Sequence, residues 1–87
     1  MNEAELEPEL KLWRAVVVQA IWDYEELCRK INDPRFEPQK KRLTIDRQVL
    51  HREFESSHFA EICDWIGYDQ SHILRHLGRI RVKHGNC

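Results

Sequence analysis

Apolar residues recur every three or four positions along most of this chain, the period of an α-helix that buries one face. Beyond Pro8, Leu10, Trp13, Val17, Ala20, Tyr24, Leu27 and Ile31 keep that spacing, and Leu12, Val16, Ile21 and Cys28 widen the stripe. Proline suits a first helical turn, where its missing N–H costs nothing. Asn32-Asp33-Pro34 stops the helix, because the residue before a proline resists the helical region. The pattern predicts a first helix over 8–32 and a second over 44–56. The second has Ile45, Val49, Leu50 and Phe54 on its apolar side, with Arg47, Arg52, Glu53 and Glu55 facing water. Ser56 and Ser57 offer a break and an N-cap. A third helix over 58–66 carries Phe59, Ile62, Cys63 and Ile66, and Gly67 ends it by taking the left-handed conformation. Asp69 caps a fourth over 70–83, striped by Ile73, Leu77 and Ile80 with Leu74 alongside. Gly78 weakens that helix from within.

No strand-like alternation, internal repeat or low-complexity segment interrupts this pattern. The expected fold is all-α: a four-helix small domain over 8–87 with a C-terminal helix-turn-helix-like pair, preceded by a flexible acidic arm over 1–7. Residues 33–43, with Pro34, Pro38 and the run Lys40-Lys41-Arg42, read as an exposed connection. Such a connection is long for a compact domain, which makes it a candidate contact loop.

Composition narrows the classes. With 87 residues the chain supports one core and little room for an enclosed catalytic cleft. No apolar run approaches the roughly 20 residues of a membrane span, and the acidic N-terminus does not resemble a signal peptide. Three widely spaced cysteines without a CxxC do not form a disulfide pattern and suit a reducing cytoplasm. Cys28 and Cys63, at apolar helical positions, read as buried small hydrophobes, and Cys87 as a mobile terminal thiol. Trp13 and Trp65 are expected in the core or at its edge. Burial is also the first expectation for Trp22; exposure there would mark a partner-binding surface.

The net charge of −1 conceals an asymmetry. Glu3, Glu5, Glu7 and Glu9 crowd the start without a base, whereas the stretch 70–87 carries Arg75, Arg79, Arg81 and Lys83 without an acid. A basic end suits phosphate, although cations also favour a helix C-terminus.

The sharpest constellation spans the third and fourth helices. A helix-turn-helix needs a short first helix with a small residue facing the second, a glycine turn and apolar locking residues. Cys63, Gly67, and the set Ile62, Ile66, Tyr68 and Ile73 fill those positions. The stretch 67–77, with Gln70, Ser71, Ile73, Arg75, His76 and Leu77, resembles the recognition-helix region of ArsR-type winged-helix repressors. The resemblance covers about twenty-five residues, the scale of one supersecondary unit. Asp69 stands where that family has a capping serine, and Leu74 where it has a polar, DNA-facing serine. No wing is expected before Cys87, so the family's dimer arrangement and metal sensing do not carry over. The resemblance implies that Gln70, Ser71, His72 and Arg75 point toward base edges, while Arg79, Arg81 and Lys83 reach phosphates. Glutamine and arginine can pair bidentately with adenine and guanine, and outlying cations set register.

A second similarity is spread over most of the chain. Leu12-Trp13-Arg14-Ala15-Val16 with Gln19-Ala20 and Asp23, followed by Phe59-Ala60-Glu61-Ile62-Cys63, is similar to small phage and prophage proteins. It implies a mobile-element origin.

Other chemistry is set aside. His72 and His76 have the i, i+4 spacing of two zinc ligands, but no close second pair completes a site, so neither a metal nor another cofactor is expected. Asp23, Glu25, Glu26 and His51 form no nucleophile–base constellation, so the chain is not expected to be an enzyme. Two functional expectations remain. The first is a cytoplasmic regulator of transcription that binds DNA, with Lys40, Lys41 and Arg42 on the backbone and a possible homodimer through the first helix. The alternative is an inhibitor or adaptor that docks on an acidic host protein surface without reading DNA.

Overall fold

The computed structural model describes residues 8–85. The expected acidic arm over 1–7 and the terminal Cys87 lie outside the described residues. Four α-helices follow one another, α1 (Pro8–Ile31), α2 (Lys40–Glu55), α3 (Ser57–Ile66) and α4 (Gln70–Lys83), with a 3-10 helix, Pro34–Gln39, between the first two. No strand occurs among the described residues, so the domain is all-α.

The connection between α1 and α2 departs from expectation. It is helical, not a loop, and α2 begins at Lys40, four positions before Thr44. Asp33 starts the 3-10 segment by accepting from the Arg35 backbone N–H, 3.0 Å away. The Arg35 guanidinium also grips that carboxylate and holds it down to about 2, well below the usual carboxylate range. Thr44 opens no helix. Its hydroxyl donates back to the Lys40 carbonyl at 2.8 Å, inside one already formed.

All four helices feed one core. Val17, Tyr24 and Cys28 come from α1, Phe54 from α2, Cys63 and Ile66 from α3, and Ile73, Leu77 and Ile80 from α4. Full burial of such side chains contributes roughly 1.5–3 kcal/mol each. Tyr24, Phe54 and Phe59 meet edge to face in sequence, with ring centroids 6.2 and 5.1 Å apart.

Some side chains contradict their expected environment. Arg47, expected in water, is only 7% exposed and donates to the Tyr24 hydroxyl at 3.3 Å. Ile45 and Val49, expected on the inner side of α2, are exposed. The phase of α2 is set by Leu50 and Phe54, and Arg47 shares their face. Trp22 is 64% exposed rather than core, and Trp65 is 48% exposed. Cys28 is buried as expected but is disulfide-bonded rather than a free thiol.

Side chains from distant parts of the chain satisfy three helix C-termini, whose last carbonyls lack intrahelical partners. Arg14 of α1 donates Nε and Nη2 to the Ile66 carbonyl at 3.1 and 3.0 Å, ending α3. Gln70 of α4 donates Nε2 to the Phe54 and Ser56 carbonyls at 2.9 and 3.1 Å, ending α2. Asn32, just beyond α1, donates to the His84 carbonyl at the end of α4. These contacts lock the order of the bundle more specifically than apolar packing alone.

Candidate functional site

The α3–turn–α4 unit is built from local signals. The Ser56 hydroxyl accepts from the Phe59 N–H at 3.0 Å and starts α3. Gly67 takes φ 81°, and the Tyr68 N–H returns to the Cys63 carbonyl at 2.8 Å, closing the helix. Asp69 then accepts from the Ser71 N–H at 3.0 Å and starts α4. Cys63 is a buried free thiol. Burial pushes its pKa up, and the nearby Asp69 carboxylate adds to the effect, so it packs as a neutral group rather than acting as a nucleophile.

Two faces of α4 emerge from this placement. Ile73, Leu77 and Ile80 point into the core, and Leu74 packs against it. Leu74 therefore does not occupy the DNA-facing position that the repressor resemblance implies for it. The outward stripe is Ser71, His72, Arg75, Gly78, Arg79, Val82 and Lys83, with His76 exposed at its flank. Five of these, Arg75, Gly78, Arg79, Val82 and Lys83, line one shallow open groove. No acidic residue occurs anywhere in α4. Arg75 and Arg79 make no hydrogen bond or ion pair among the described residues. Lys83 lies 3.7 Å from the Glu25 carboxylate, an exposed pair worth little.

Two of the predicted site residues leave the stripe. The Gln70 amide nitrogen is committed to the carbonyls at the end of α2, which corrects its assignment as a base-reading group. Arg81 sits on the half-buried flank of α4 and already has an interaction partner, so it is not an outward phosphate arm.

Lys40, Lys41 and Arg42 are exposed, but they form the first turn of α2 rather than a loop. Cations oppose the helix dipole there, at roughly 0.3–1 kcal/mol each at low ionic strength. Gln39 supplies no side-chain cap in compensation. The cluster therefore gives the fold no evident benefit. It is tethered to the same end of α1 as the last turn of α4, which is held by the Asn32–His84 and Glu25–Lys83 contacts.

Sequence reasoning missed Gly78 and Val82. A Cβ built at Gly78 would meet nothing within 4 Å, so no internal packing requires a glycine in the middle of this helix. Val82 is 70% exposed in the middle of the cations. The signal for both was present: they fall at the same helical phase as Arg75 and Arg79.

Trp22 stands on the outer surface of α1, the helix that also exposes Leu12 and Val16. Among the described residues no helix is long and apolar enough to cross a membrane, and no group of three or more potential ligands could hold a metal ion. Comparison of the chain with protein-family models, curated proteins and solved structures gave no match.

Proposed function

We propose that this chain is a small phage-type DNA-binding regulator of transcription, using α3 and α4 as a helix-turn-helix with α4 in the major groove. The observation that carries the reading is the acid-free outward stripe of α4. Its two central guanidiniums have no competing partner among the described residues, so binding phosphate or a guanine edge breaks no contact seen there. The helix spans about 21 Å, and a major groove admits a helix of that kind. Ser71, His72 and Arg75 face the bases, Arg79 and Lys83 contact phosphates, and Lys40, Lys41 and Arg42 hold the flanking backbone. The glycine at 78 lets the nucleic-acid backbone approach the helix closely. A single unit binds weakly, and a homodimer through α1 presents two such units. The protein is a binding module in this reading, not an enzyme.

Fluorescence anisotropy with a random duplex, measured across a salt series, tests it. Arg75→Ala with Arg79→Ala is expected to weaken binding by about tenfold or more and to reduce the salt slope by about 2. Unchanged affinity and slope in a folded double variant would sink the proposal.

A second reading has its own support. Trp22 is 64% exposed on α1, and a large exposed aromatic is the kind of side chain a protein partner covers. In that reading the chain is an adaptor or inhibitor docking on a host complex, and nuclease treatment leaves the complex intact.

A further inference from the structure

We infer that the half-open cleft between α1, α2 and α3 is a binding site for a small aromatic amine, independent of whether α4 reads DNA. The cleft has a volume of about 240 Å³. Its walls are apolar and come from all three helices, chiefly Trp13, Ala20, Leu50, Phe54, Phe59 and Ile62. An engineered apolar cavity of about 150 Å³ holds a benzene, so this volume accommodates one ring with a short arm. Phe54 and Phe59 stand at 83° to each other with centroids 5.1 Å apart, forming an aromatic corner. Ala20 lines the cleft with only a methyl group, so a longer side chain there would take up its space.

Charge selects the class of ligand. Among the described residues, Glu53 and His58 are the ionisable ones lining the cleft, and both are exposed. The Glu53 carboxylate makes no hydrogen bond or ion pair among the described residues. Neither lysine nor arginine is among the described residues that line the cleft. An ammonium group at the mouth is therefore attracted, and a carboxylate is repelled.

The cleft also touches the element that positions α4. Phe54 lines it, and the Phe54 carbonyl accepts the 2.9 Å hydrogen bond from Gln70, the first residue of α4. A ligand that shifts the Phe54 ring therefore perturbs the start of α4.

Titration of the full chain with phenethylamine, followed by amide NMR, tests the site without any DNA present. Saturable shifts are expected around Trp13, Phe54 and Phe59, with the Gln70 side-chain amide following the same curve. The anionic analogue 3-phenylpropionate should bind at least about fivefold more weakly, and Glu53→Gln should erase that preference. Ala20→Leu should fill the cleft and weaken binding about tenfold. Glu53 is exposed, so its variant keeps the test usable if the Ala20 variant does not fold. No saturable shift in the folded wild type, equal binding of amine and acid, or indifference to Glu53→Gln would each overturn the inference. So would cleft resonances that change on dilution without ligand, because a side chain of a second copy would then fill the space. Loss of duplex binding in the Arg75 and Arg79 variant leaves this result untouched, so the two ideas fail separately.

Discussion

The outward faces of α1 and α4 differ in kind although both helices send their other face into the same core. The α4 face is cationic and acid-free, with one exposed valine among arginines. Helix α1 instead exposes Leu12, Val16 and Trp22 between short or polar residues. A charged face attracts phosphate over a distance of about one Debye length and loses that attraction in salt. An apolar face is driven by the area it removes from water and is little affected by salt. The two surfaces are therefore suited to different partners, and salt can tell them apart.

Charge reversal is the largest test of that difference. Arg75→Glu with Arg79→Glu should abolish measurable duplex binding, a loss of about a hundredfold or more, while sedimentation still reports the wild-type association state. The converse variant, Trp22→Ser with Leu12→Ser, should weaken self-association and leave the salt slope of a single unit unchanged. Parallel loss of both activities in either variant would show that the faces are not independent.

A smaller effect is expected from Gln70→Ala. It removes two hydrogen bonds to the end of α2, so urea denaturation should show a loss of about 1–2 kcal/mol. A loss confined to DNA binding, with stability unchanged, would return Gln70 to the reading face. Gly78→Ala sharpens the comparison at the lowest energy. The site is open to solvent, so helix propensity alone should raise stability by up to about 1 kcal/mol. Duplex affinity should nonetheless fall if a backbone approaches the helix there. A gain in both would remove the glycine from the interface.

The α3–α4 unit was legible because its signals are local. Ser56, Gly67 and Asp69 act on backbone groups within four positions of themselves. The start of α2 was misread for the opposite reason. Three cations and an uncapped glutamine oppose a helix start at Lys40, and continuity with the 3-10 segment overrides them. Arg47 was misread because a charged residue normally faces water, whereas here the Tyr24 hydroxyl, 23 positions away, meets it inside. Gln70 matched a recognition-helix pattern in type and spacing, yet its amide serves α2. Nothing near it in sequence shows that the end of α2 lies within reach.

Period and punctuation by themselves determined that this protein is all-α and where its last two helices begin and end. Those properties depend on neighbours one helical turn apart. Only the tertiary structure decided which tryptophans remain outside, where an apolar cleft opens and which polar side chains are occupied as caps. These depend on which helices lie side by side, and helical spacing alone does not encode that.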